Sequence, residues 1–154
     1  MTRICLLIAV VIMMSTPLCA RLKTLTISEL VKSAEAIAVI KIDARENIVE
    51  GERKVAKTKN SLTVEKVLKG ALAQDEKLAI NTPGAIGNVP EDRPEFQNAG
   101  NRALVFLKKR ENGKWGIVNG LQGVWPLAPG SDKTLGMGFN YSLEQIEKEL
   151  ATQK

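Results

Sequence analysis

The 154-residue chain has no histidine, and its only two cysteines, Cys5 and Cys19, lie in the first twenty residues. Aromatic residues are also scarce: two tryptophans, one tyrosine and three phenylalanines. Each shortage removes a class of chemistry. Without histidine there is no Ser-His-Asp triad and no Cys-His pair. Without cysteine beyond residue 19 there is no CxxC redox site, no disulfide and no usual zinc site. Catalysis would fall to carboxylates, lysine, tyrosine or Ser-Lys pairs, so an enzyme is the least expected reading, and neither a metal nor a cofactor is expected.

The opening twenty residues read as a targeting segment. Arg3 supplies a positive start, Ile4 to Met14 an apolar run of eleven residues, and Ser15 to Ala20 a stretch ending in a small residue. Eleven residues fall short of the ~20 that a helix needs to cross a bilayer. Leu18 before Cys19 stands where a lipoprotein site wants Gly or Ala, so the expected cut follows Ala20, with membrane contact only through the cleaved leader. The product would be exported, periplasmic or secreted. Residues 21–154 then form a single domain stabilised by its core alone. They carry 21 basic against 17 acidic residues, a net +4, which gives solubility and a mild bias to anionic surfaces but no nucleic-acid binder.

Along that domain, Thr26-Ile-Ser-Glu29 is a capping box opening a short helix over about 27–34, with Ile27, Leu30, Val31 and Ala34 on one face. Ala36 to Ile42 is apolar on both parities, as a strand covered on both faces would be. Asp43 to Asn60 is polar and reads as the solvated turn and outer ends of a long hairpin. Ser61 to Leu68 alternates, with Leu62, Val64 and Leu68 on one parity, and Lys69-Gly70 ends it. A strand over 77–81 leads into Thr82-Pro83-Gly84, a turn signal in which glycine takes positive φ at the third position.

Ala103 to Leu107 is the most apolar short run and reads as a central strand. Asn112-Gly113 signals a two-residue hairpin with positive φ at both positions. Asn119-Gly120 turns again, and 123–127 is a last strand, at an edge because Pro126 cannot donate to a ladder. Ser142-Leu-Glu-Gln145 is a second capping box, opening a helix to about Ala151 with Leu143, Ile146 and Leu150 inward. Six or so hairpin-linked strands and two helices predict a mainly β fold: a closed or nearly closed antiparallel OB-like barrel with a short N-terminal and a C-terminal helix.

The best candidate site is the long loop from Thr82 to Phe96, because long ordered loops on rigid scaffolds are often binding loops. Within it Thr82, Pro83, Gly84 and Gly87 set the turns, Arg93 offers a charge, and Phe96 reads as a plug pinning the loop to the barrel. Glu91, Asp92 and Glu95 beside Arg93 lack the desolvation of a catalytic carboxylate pair and the oxygen spacing of a calcium loop. Arg53, Lys54, Lys57 and Lys59 form a candidate basic patch for a polyanion, diluted by Glu46, Glu50 and Glu52. Trp115, Trp125 and Tyr141 could make a stacking platform, although neighbouring strands should place at least one Trp in the core.

These pieces fall in an order that resembles a widespread group of exported bacterial proteins with no assigned activity. The likeness runs from Ile27 to Leu127 and rests on Leu68-Lys-Gly70, Thr82-Pro-Gly84 to Gly87, Pro94-Glu-Phe96, Gly100 with Ala103 to Leu107, and Gly120 to Val124. Ala85 replaces the second loop glycine usual in that group, and Asn101 the acid common after Gly100. More distantly, the Val67-Leu-Lys-Gly70 strand resembles netrin-like modules of tissue inhibitors of metalloproteinases, which are OB-type barrels. Their zinc-binding N-terminal cysteine has no counterpart here, so only the barrel and protein binding carry over. The expected function is a non-enzymatic module that binds another protein or an envelope component through the 82–96 loop. The alternative is an inhibitor or immunity-type partner of a secreted hydrolase.

Overall fold

The computed structural model describes residues 24–135 and 142–153. Residues 1–20, read as a leader, and Tyr141 lie outside the described residues. The chain folds as a nearly closed antiparallel barrel with two helices. Helix α1 is Ile27–Ser33, followed by β1 Ala36–Glu50, β2 Val55–Lys69, β3 Lys77–Pro83, β4 Arg102–Lys109 and β5 Trp115–Ile117. A 3-10 turn, Gly120–Gly123, precedes β6 Val124–Pro126, and helix α2 is Leu143–Thr152.

The strand order is β3-β2-β1-β4-β5, and β6 also pairs with β4. The free edge of β4 is therefore shared: residues Leu107 to Lys109 pair with β5 and Ala103 to Val105 with β6. Among the described residues β6 forms a ladder with β4 alone, so Pro126 stands at its outer edge, where its carbonyl accepts from Leu135 N at 2.6 Å. The outer edges of β3 and β5 approach each other, but no ladder among the described residues joins them.

The double apolar parity of β1 has the expected consequence. Ala36, Ala38, Ile40 and Ile42 face the barrel interior with Leu62, Val64, Leu78, Ile80, Phe96, Val105 and Leu107. Ile37 and Val39 face outward, where both helices cover them together with Leu104, Phe106 and Trp125. Both capping boxes form: Thr26 with Glu29, and Ser142 with Gln145. Lys69 Nζ donates to Val31 O at 2.8 Å, satisfying a carbonyl at the end of α1. Leu143 and Ile146 are buried and Leu150 packs beside them, so α2 presents the expected face.

Three local expectations are corrected. Thr82 and Pro83 belong to β3, and Thr82 is buried, so the loop starts at Gly84 (φ +89°). The β4–β5 hairpin has positive φ only at Gly113. Arg110 N donates to Lys114 O (2.9 Å) and Gly113 N to Arg110 O (2.8 Å), which makes a three-residue loop closed by a left-handed glycine. Leu68 packs outward with the helices although Leu62 and Val64 point inward. Between them Ile40 pairs with Val64 and Val39 with Lys66, so Glu65 is an extra residue that breaks the parity.

Gly70, at φ +90°, closes β2 against the start of β1: a Cβ there would collide with Glu35 O and lie 2.9 Å from Ala36 Cα. Both the left-handed backbone and the contact oppose a side chain. Gly70→Ala should lower the unfolding free energy by at least ~2 kcal/mol in urea titration.

Candidate functional site

The interior changes character along β1. At its far end Ile42 pairs with Leu62 but Ala44 pairs with Ser61, so Asp43 is an extra residue that reverses the inward parity. Asp43 is held on the outside by Thr63 Oγ1 (2.6 Å) and Lys77 Nζ (3.2 Å). The bulge turns Arg45 toward the interior, directly opposite Asn60 in the ladder, and residues opposed in an antiparallel pair share a face. On β2 the inward alternation continues unbroken through Val64, Leu62, Asn60 and Thr58. One end of the barrel is thus apolar and the other polar.

Thr58, Asn60 and Thr82 are all buried at that polar end. Asn60 Nδ2 donates to Ile80 O (2.9 Å), Thr82 Oγ1 (3.1 Å) and Thr58 O (3.2 Å). Thr58 Oγ1 donates to Gly84 O at 2.9 Å, tying this cluster to the start of the loop. Asn60 Oδ1 and Arg45 Nε are buried without a hydrogen-bond partner among the described residues. An unpaired acceptor and an unpaired donor therefore sit on cross-strand neighbours. Each unpaired buried polar group costs ~1–3 kcal/mol.

The loop is fastened over this end by contacts on both sides. Gly84 N donates to Ala56 O (3.1 Å) and Ile86 N to Asn47 Oδ1 (2.8 Å). Ala85 to Asn88 form a turn closed at 2.9 Å, with Gly87 at φ +80° in its third position as a type II turn requires. Gly84 permits the close return of the chain, since a Cβ there would lie 2.9 Å from Val89 Cα. Further on, Phe96 fills the interior at 1% exposure, and Arg45 Nη2 donates to Glu95 Oε1 at 2.9 Å. Gly100 N and Asn101 O then pair with Ile42. A cleft of about 480 Å³ opens beside these anchors, lined by Arg45, Glu95, Phe96, Asn98, Asn101 and Leu135 among others. That volume falls within the range of ligand pockets.

Of the residues singled out from sequence, Phe96 is the expected plug and Thr82 is floor, not loop. Pro83 and Gly84 form the exit from β3, and Gly87 lies exposed in its turn. Arg93 pairs with its neighbour Asp92 at 3.6 Å and does not line the cleft. The basic patch is largely neutralised: Lys57 meets Glu50 at 2.7 Å and Lys59 meets Glu46 at 3.7 Å. Lys57 holds the Glu50 carboxyl below its ordinary pKa. Among the described residues, Arg53 and Lys54, exposed in the hairpin turn, pair with no acid. Trp125 is core, with its ring 5.0 Å from that of Phe106 and its indole donating to Gln122 O at 2.7 Å. Trp115 is half-buried under Lys109 Nζ (5.3 Å from the ring), so the two tryptophans form no common platform.

Sequence reasoning missed Arg45, Asn60 and Thr58. The alternation Thr58-Asn60-Leu62-Val64 was a usable signal for the last two, whereas the bulge hid Arg45. Among the described residues no group of three or more acidic side chains could hold a metal ion. No helix among them is long and apolar enough to cross a membrane. No protein-family model matches the chain, and no curated protein is significantly similar to it.

Two outcomes follow from this geometry. Phe96→Ala removes a fully buried ring and should cost ~3–5 kcal/mol, with the loop amides from Gly84 to Asn98 losing hydrogen-exchange protection first. The Asp43 carboxyl is held below its ordinary pKa, chiefly by the Thr63 hydroxyl and then by Lys77, against some desolvation. A depressed folded pKa adds stability above the unfolded value, and that stability is lost as pH falls through the folded one. The Tm difference between wild type and Asp43→Asn should therefore be present at neutral pH and close as pH drops below about 4.

Proposed function

We infer that the protein is an exported, non-enzymatic binding module that recognises another protein or an envelope component through the loop following β3. The observation that carries the reading is the way this loop is built. It is fastened to β1 and β2 by backbone and side-chain bonds and plugged by Phe96, and it borders an open cleft. A segment so firmly ordered on a rigid barrel loses little entropy on binding, which favours recognition. Export is supported by the leader at residues 1–20 and by the resemblance to exported bacterial proteins. The lack of histidine, and of cysteine beyond residue 19, favours binding over catalysis.

The test is affinity capture from envelope and culture fluid with residues 21–154 as bait, at low and high salt. The second bait has 84–94 replaced by a short glycine linker. The expected result is a partner retained by the intact loop and lost from the deletion variant, whose circular dichroism and cooperative unfolding show that the barrel persists. Equal capture by both baits would overturn the reading. If the retained partner were a hydrolase inhibited on binding, the module would be an inhibitor of the kind the distant metalloproteinase-inhibitor likeness suggests.

A further inference from the structure

The cleft beside the loop is lined by an arginine, Arg45, whose Nε–Nη2 edge is only half engaged. The Arg45 side chain is only 8% exposed, while its partner Glu95 is 46% exposed. One edge of a guanidinium offers Nε–H and one Nη–H as a parallel fork that a carboxylate fills with both oxygens. Here Glu95 engages only Nη2, through Oε1, and Nε is left without a partner among the described residues. A loop carboxylate thus occupies the fork in a one-armed geometry, from the solvent side. Around it the cleft offers the Phe96 ring, Pro129 and the half-exposed Leu135 as apolar wall, and Asn98 and Asn101 as amides.

The geometry points to a carboxylate-binding site: the partner's carboxylate displaces Glu95, takes the Arg45 fork with both oxygens, and lays an adjoining apolar side chain against Phe96 and Leu135. The occupant is a peptide segment of the captured protein, so the inference rests on the loop reading and specifies its chemistry. Three features select for such a ligand. A buried cation demands an anion, a two-pronged donor demands a planar one, and the apolar wall beside two amides suits a peptide more than an inorganic ion. Glu95 acts as an internal competitor that keeps Arg45 compensated when the partner is absent, and in the exchange the buried guanidinium trades one carboxylate for another and is never left without a counter-charge.

The measurement is an NMR titration of residues 21–154, following the Arg45 Nε–H and the Asn98 and Asn101 amides. Three acetylated tripeptides serve as probes, up to about 10 mM, ten times the Kd of a weak millimolar contact. One is Ala-Ala-Leu with a free terminal carboxylate, one its terminal amide, and one Ala-Glu-Leu amide, whose only carboxylate is on a side chain. Saturable shifts with either carboxylate probe and none with the neutral amide are expected, and which of the two binds tells a chain terminus from an internal acid. Arg45→Lys keeps the charge but removes the fork and should weaken binding about tenfold or more. Glu95→Gln, at an exposed position, should tighten it several-fold by removing the competitor.

Equal shifts with the neutral amide, no shift with any probe, or unchanged affinity in both variants would overturn the site. Capture with Arg45→Lys separates this inference from the loop reading. A partner retained by Arg45→Lys but lost on loop deletion leaves loop recognition standing and removes the carboxylate site. Peptide binding at Arg45 with no captured macromolecule supports the site and removes the loop reading.

Discussion

Most of this structure depends on β1 and on the extra residue within it. From Ala36 to Ile40 the strand is buried on both faces, pairing with β2 on one side and β4 on the other. Its inward side chains make the barrel core and its outward ones the seat for both helices. The two apolar clusters are therefore two faces of one strand, and neither can form without it. Burial at ~25 cal/mol per Å² makes this two-sided strand the natural centre of stabilisation. Beyond residue 19 the chain has no cysteine, so no disulfide within the barrel substitutes for it.

Past Ile42 the constraint changes. β4 stops pairing at Lys41, Asp43 is squeezed out as a bulge, and the remaining arm of β1 pairs with β2 alone. A strand freed of one neighbour and reversed in parity can place a long polar side chain inward without a second sheet face to cover. Arg45 uses that freedom. Its charge is met by Glu95 from the loop, and it lines the same cleft as Phe96. The loop thus does two physical jobs at once: it supplies the apolar plug for the barrel mouth and the counter-charge for the arginine.

What could be read from the sequence follows from which forces are local. Capping boxes need only neighbouring residues, and both formed where Thr26 and Ser142 announced them. The dual parity of 36–42, the burial of Phe96 and the edge position of Pro126 rest on patterns a few residues long, and these were legible too. Bulges were not, because Asp43 and Glu65 are extra only relative to a partner strand elsewhere in the chain. Three misses trace to one of them or to strand length: Leu68 was assigned to the wrong face, Arg45 was overlooked, and Thr82 was read as loop because pairing with Thr58 extends β3 by two residues. The basic residues of the hairpin were visible as charges, but their cross-strand acids, Glu46 and Glu50, become partners only once the register is known.

The polar end of the barrel also bears on how function and stability divide this molecule. An apolar residue in place of Asn60 would fit the Leu62–Val64 alternation and would spare the fold an unpaired Oδ1. Arg45 buries a charge where a leucine would cost nothing to desolvate. Both choices oppose folding, and both lie at the end where the long loop is anchored beside a cleft. Departures from local consistency that gather at one place, while the rest of the chain obeys it, are what a site looks like when stability is supplied elsewhere. The double-sided strand provides that surplus, which is why the polar end can carry a buried charge and unpaired polar atoms while the apolar end holds the fold.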